Sequence, residues 1–180
     1  MKRLFFVAAI LLAVSAPAAF GQFRLELGAE APLGIGYLSG SASGDAFLED
    51  TFSETGIIPI PTAGLYLQAD LAIIKIAAGV KLHSAIIATG GYPNLLVELA
   101  LGPLAVEAGL GGYYFGFAAV GEDVWFGQMD VLLPEVSAWL ALGKRRAFRI
   151  GAGAIGLMGS ELGADLIPFI YYAGLKVVLD

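Results

Sequence analysis

From Phe23 to Tyr37 the chain alternates without interruption. Phe23, Leu25, Leu27, Ala29, Ala31, Leu33, Ile35 and Tyr37 are apolar, while Arg24, Glu26, Gly28, Glu30, Pro32, Gly34 and Gly36 are charged, glycine or proline. Successive side chains of a strand point to opposite faces, so this pattern specifies one apolar and one polar face. Seven further segments read the same way: 59–70, 74–83, 93–101, 104–117, 131–142, 148–158 and 167–179. Every charge within them falls on one face, and the other face is continuously apolar. A soluble sandwich or lipocalin turns its charges to water and its apolar face inward. Here the polar face is broken by glycines, and the simplest geometry has the apolar face outside.

Composition narrows the class. Of 180 residues, 58% are apolar and 14% charged, and the mean hydropathy is +0.79. Soluble domains average about 45–50% apolar and about 25% charged residues. A net charge of −6 excludes a basic nucleic-acid-binding surface. With no cysteine and one histidine, disulfides, thiolate sites and multi-histidine metal centres are excluded; neither a metal nor a cofactor is expected. A spanning helix needs about 18–20 apolar residues. After residue 24 the longest charge-free stretch, Leu82 to Val97, holds His83, Gly90, Gly91, Pro93 and Asn94. Only helices and closed barrels satisfy every backbone group in lipid. The predicted fold is therefore all-β: an eight-stranded antiparallel up-and-down transmembrane barrel.

The first 21 residues read as a cleavable signal peptide, leaving a barrel over 22–180. Lys2 and Arg3 precede an apolar run from Leu4 to Val14, and Ala19 and Gly21 supply the −3 and −1 positions for cleavage.

The connections alternate in length. Leu71-Ala72, Gly102-Pro103 and Gly143 to Ala147 are short; Leu38 to Ile57, Ser84 to Tyr92, Ala118 to Asp130 and Gly159 to Leu166 are predicted long loops. Short periplasmic turns and long outer loops are the rhythm of outer-membrane barrels. Hairpin parity pairs Ala69 with Ile74, Leu101 with Leu104 and Leu142 with Phe148, all facing out. Outward Phe23 and Phe148 would mark one interface; Tyr37, Tyr114, Phe169 and Tyr171 would mark the other. The long loops carry Asp45, Glu49, Asp50, Glu54, Glu122, Asp123, Glu161 and Asp165, and are read as solvated, with no calcium-loop spacing. Lys144-Arg145-Arg146 lies in a short turn.

Inside, Arg24, Lys75, Lys81, Arg149 and Lys176 face Glu26, Glu30, Asp70, Glu98, Glu107 and Glu135. Such charges are costly unless paired or wet, and eight strands leave room for little but side chains, so an ion-pair plug is expected. A gated polar conduit is the alternative. Inward Gly34, Gly36, Gly64 and Gly111 leave space for a shallow outer cavity lined by Tyr66, Tyr113, Phe115 and Tyr172. His83-Ser84 suggests an esterase, but strand neighbours point apart, so no enzyme is expected.

The signal peptide, eight alternating strands and loop rhythm resemble the small eight-stranded outer-membrane proteins, including the outer-membrane protein A transmembrane domain and the protein X and protein W families. Tyr172-Ala173-Gly174-Leu175-Lys176-Val177-Val178-Leu179 is similar to that group's terminal assembly signal, carried by Tyr172, Gly174, Val177 and Leu179, although Leu179-Asp180 replaces the usual final phenylalanine. The resemblance implies an outer-membrane location, contact with outer-membrane lipids, and handling by periplasmic chaperones and the barrel assembly machinery. A monomer without nucleic-acid partners is expected. Likeness to the protein W family would add passage of small hydrophobic molecules through a lateral opening, here near Pro59, Pro61 and Pro168. A lipid-modifying barrel enzyme is the remotest alternative. The strand faces imply that Val97→Arg impairs membrane folding more than Leu96→Arg.

Overall fold

The computed structural model describes residues 21–37, 58–85, 88–120, 123–159 and 168–180. Residues 1–20 of the expected signal peptide, and every loop acid named above except Asp123, lie outside them. The described elements are β1 (Gln22–Tyr37), β2 (Ile60–Leu71), β3 (Ile74–Ala85), β4 (Ala88–Leu101), β5 (Leu104–Val120), β6 (Asp123–Leu142), β7 (Phe148–Gly156), β8 (Met158–Gly159) and β9 (Pro168–Leu179). With β7 and β8 counted as one strand, each strand pairs antiparallel with its sequence neighbours, and β1 pairs with β9 to close the ring. The result is the expected closed eight-stranded up-and-down barrel. β7 and β8 form one barrel strand that pauses opposite Pro134. Leu132 pairs with Met158 and Glu135 with Ile155, which brings Pro134 opposite Gly156. Proline has no N–H to give the ladder there.

Alternation sets the faces along most of the wall. Arg24, Gln68, Ala77, Lys81, Leu96, Glu98, Ala105, Glu107, Glu135, Ser137, Trp139, Arg149, Tyr172 and Lys176 are buried. Phe23, Leu27, Leu65, Val80, Leu95, Val97, Leu110, Val136, Leu140, Phe148, Ile150 and Leu175 are exposed. Closure supplies ladder partners on both sides of each strand, which removes the free edges that an open sheet presents.

Three details differ from the sequence-based expectation. The β2–β3 turn is Ala72-Ile73, with Leu71 opposite Ile74 and Ala69 opposite Ile76, so the register is two residues from the expected Ala69–Ile74 pair. Ala72 takes φ +57°, the left-handed conformation that tight hairpins require and that glycine or asparagine normally supplies. The other two turns pair Leu101 with Leu104 and Leu142 with Phe148, as parity requires.

Secondly, two expected long loops are largely strand. Ser84 pairs with Thr89 and Ala85 with Ala88; Val120 pairs with Asp123, and the β5–β6 ladder runs unbroken from there to Tyr114–Met129. Val124, Trp125 and Phe126 are strong strand formers, but a register break conceals their alternation.

Thirdly, bulges invert the faces of β1 and β5 in the half of the barrel away from the short turns, while β2, β3 and β4 keep theirs. Register shifts fall between Pro32 and Gly34, between Gly91 and Asn94, and between Gly112 and Tyr114. Each inserts an unmatched residue, so side chains beyond it exchange faces. Gly34 pairs with exposed Tyr171, so it is not on the lumen face expected for it, and Gly36 pairs with Phe169. Tyr113, at φ +58°, and Phe115 are 38% exposed and lie outside, whereas Tyr114 turns inward. Tyr113 and Phe115 are therefore not cavity-lining residues, and Tyr114 is no part of an outer aromatic girdle.

Candidate functional site

The interior of the turn half is an ionic layer built around Arg24, whose exposure is 0%. β1 carries Arg24 at its third strand position on the inward parity, and the guanidinium reaches across the lumen to three other strands. Its Nε donates to Glu26 Oε1 at 2.7 Å, one terminal nitrogen to Gln68 Oε1 at 3.1 Å and Glu98 Oε2 at 2.6 Å, and the other to Glu107 Oε1 at 2.9 Å. Arg149 donates to the same Glu98 Oε2 at 2.8 Å and to Glu107 Oε1 at 3.2 Å. Lys176 Nζ donates to Glu107 Oε2 at 2.6 Å and to both Glu26 oxygens at 3.4 Å, and sits 4.4 Å from the Trp139 ring centroid. Three cations thus face three carboxylates, each shared. A planar guanidinium offers five donors in a fixed fork, which suits Arg24 to a position bridging several strands.

Lys75 and Asp70 do not join this layer. Lys75 pairs with Asp180 at the turn-end rim, and Gln68 Nε2 donates to Asp70 Oδ1 at 2.7 Å. Partial burial opposes ionisation of Asp180, but the Lys75 ammonium and Gln68 amide outweigh it and hold this carboxyl below its usual range.

A second cluster lies further along the barrel. Lys81 Nζ is 2.9 Å from Glu30 and from both Glu135 oxygens. The Tyr172 hydroxyl donates to Glu135 Oε1, and His83 Nε2 is 3.5 Å from Glu30 Oε2. One lysine therefore serves two carboxylates, with histidine beside one of them. Between the two clusters is a cavity of about 20 Å³, whose walls include Glu26, Glu30, Tyr66, Lys81, Asn94, Glu107, Glu135 and Lys176. That is room for about one or two waters, not the shallow outer cavity expected. Among the described residues Asn94 Oδ1 has no hydrogen-bond partner. Above the second cluster the interior turns apolar, with Tyr92, Val131 and Leu133 packed against Tyr114, Ile155 and Leu157.

The inward glycines do not leave open space. A Cβ on Gly64 would strike the Tyr66 ring, on Gly111 the Tyr92 ring, on Gly90 Tyr114, on Gly151 Trp139 and on Gly153 Tyr172. Each of these five rings lies over a glycine, which is why so narrow a tube accommodates them. Tyr66 and Tyr172 are interior, as expected, but buried in packing.

The four assembly-signal positions all lie on β9. Tyr172 points inward, Gly174 lies beneath Trp139, Val177 is half-buried and Leu179 is exposed. The expected opening near Pro168 is laced shut: Tyr37 pairs with Pro168, Gly156 with Phe169, and Leu157 N donates to Pro168 O at 2.9 Å. On the other side of β1, the β1–β2 ladder ends at Glu30–Ile60 among the described residues.

Ser84 Oγ is 2.9 Å from Thr89 Oγ1, and the His83 ring stacks on Tyr92 at 5.7 Å. The two adjacent residues therefore engage different neighbours and form no nucleophile–base pair. Among the described residues no group of three or more His, Cys, Asp or Glu is placed to hold a metal ion.

Sequence reasoning missed Gln68, Asp180 and Trp139 as members of the network. Gln68 and Trp139 share the inward parity of Asp70 and Glu135, but they carry no formal charge to mark them as partners.

No family model matches the chain, and no curated protein does. Solved structures that resemble it are small outer-membrane barrels. The N-terminal β-barrel domain of Pseudomonas aeruginosa OprF is 10% identical, covering 87% of this chain and 97% of that one with a TM-score of 0.46. Neisserial surface protein A is 10% identical over 86% and 96% with a TM-score of 0.44. Outer membrane protein OprG from Pseudomonas aeruginosa is 12% identical over 87% and 95% with a TM-score of 0.39.

Proposed function

We propose that the protein is an integral outer-membrane barrel, closed along its axis by paired charges, with a structural or surface-interacting role. The turn end faces the periplasm and the loop end faces outward. One observation carries this reading: Arg24, fully buried, is hydrogen-bonded to carboxylates from β1, β4 and β5 inside a wall whose outer face is apolar. A soluble protein gains nothing from that arrangement, since exposed leucines and phenylalanines would face water while its charges are desolvated. Lipid outside and a closed polar interior remove both costs.

The alternative is a narrow conduit for small hydrophobic solutes. The early end of the β1–β2 ladder, next to Pro59 and Pro61, favours it, because a side exit needs such an interruption. The paired Lys81, Glu30 and Glu135 confine it to the loop side of the lumen, because an apolar solute moving on toward the turns would have to displace them.

Refolding into liposomes distinguishes the two. A gel-mobility shift on heating reports barrel formation, and entry of ions, sugars and small apolar molecules is then compared. The closed reading expects no entry of any class. Selective entry of apolar solutes would replace it with the conduit.

A further inference from the structure

Eight of the ten basic residues lie among the described residues, and they divide into two groups. Arg24, Lys75, Lys81, Arg149 and Lys176 each hold a carboxylate. Lys144, Arg145 and Arg146 are consecutive in the β6–β7 turn, are all exposed, and pair with no carboxylate among the described residues. The other two turns, Ala72-Ile73 and Gly102-Pro103, carry no charge. The uncompensated cations are thus gathered into one sector of the rim.

The turn holds them in place. Arg146 has φ +52°, a conformation that glycine adopts freely and arginine does not, and its N–H donates to Gly143 O at 3.2 Å. Its guanidinium reaches the adjacent turn and donates to Gly102 O at 2.7 Å. One arginine therefore braces two turns and fixes where the positive charge sits. Directly below, Leu101, Leu104, Leu142 and Phe148 are exposed on the outer face. The charges stand where an apolar band ends.

We infer that the β6–β7 turn is a binding site for the phosphate of anionic phospholipids in the leaflet at the turn end. This rests on the membrane reading above. An acyl chain packed on Leu142 and Phe148 brings its headgroup level with the turn. A phosphate diester there meets guanidinium forks suited to paired oxygens, and Lys144 adds a third cation. Zwitterionic lipids gain less, because their own ammonium group competes for the phosphate.

The test uses the full chain refolded into phosphatidylcholine vesicles containing trace spin-labelled phosphatidylglycerol or phosphatidylcholine. The spectrum of lipid held at the protein surface gives the preference for one over the other. The comparison is with a variant carrying Lys144→Gln, Arg145→Gln and Arg146→Gly, the last chosen because glycine suits the backbone there. Each cation near a charged headgroup layer strengthens association by about fivefold at low salt. The native protein is expected to prefer phosphatidylglycerol severalfold, the preference to fall with added salt, and the triple variant to show none. Equal preference in the two proteins would overturn the inference while leaving the barrel in its membrane. If neither protein enters neutral vesicles or shows the heat-dependent mobility shift, the membrane reading falls and the lipid site with it.

Discussion

Arg24 shows how far a single side chain can organise this interior. Replacing a buried ionic cluster wholesale by apolar groups is often neutral, but removing one partner leaves the others charged and unpaired. Arg24→Gln would strip the shared cation from Glu26, Glu98 and Glu107 together. We expect it to lower barrel stability by about 3–5 kcal/mol, read from urea unfolding of the refolded protein. Arg149 and Lys176 still contact those carboxylates, so the fold should survive. At this scale the sequence was informative about direction and silent about partners. Parity turned Arg24, Gln68, Glu98 and Glu107 inward, but their meeting depends on how strands separated by dozens of residues are staggered around a ring. The same limit explains Lys75: it belongs to the inward set, yet lies close enough to the rim to meet Asp180 instead of the glutamates.

Among the elements, β4 offers the clearest contrast between two neighbouring residues. Leu96 is buried with Tyr66 and Ala77, whereas Val97 is 39% exposed on the outer face. Leu96→Ala should cost about 2–5 kcal/mol through the cavity it leaves, and Val97→Ala much less. Val97→Arg should cost about 2–4 kcal/mol if this face meets lipid near the midplane. The sequence alone ranks Leu96→Arg as the milder charge insertion, because its face is polar. The structure revises that ranking: Leu96 packs against aromatic and aliphatic side chains, so an arginine there must displace them beside a layer already in charge balance. Paired refolding titrations of the four variants check both faces, and equal tolerance of the two alanines would undo the register. Most strand segments were legible because alternation is a local property. The β5–β6 extension was not, because Gly112 and Tyr113 interrupt the period where β5 and β6 lose register. The Ala72-Ile73 turn was blurred for a related reason: neither residue announces a left-handed conformation.

For the molecule as a whole, closure means that no strand can leave without breaking two ladders, and the ionic layer joins β1, β4, β5, β7 and β9 across the lumen. Unfolding should therefore be concerted. In a Trp125→Phe background, fluorescence from Trp139 and far-ultraviolet circular dichroism are expected to change at the same urea concentration; separated midpoints would show that the interior loosens before the wall. The three register shifts all lie away from the short turns, so the tube has two unlike portions. Near the turns, every strand keeps step with its neighbours and each side chain has one permitted direction. Beyond the shifts, the count of residues from strand to strand no longer agrees. Chain length is itself a variable there. Leu33 is the unmatched residue between β1 and β9, and its presence alone sets Gly34 beside Tyr171 on the outer face, where strict alternation along the chain would turn it inward. In that portion, a one-residue change in length does what elsewhere would take a whole row of substitutions.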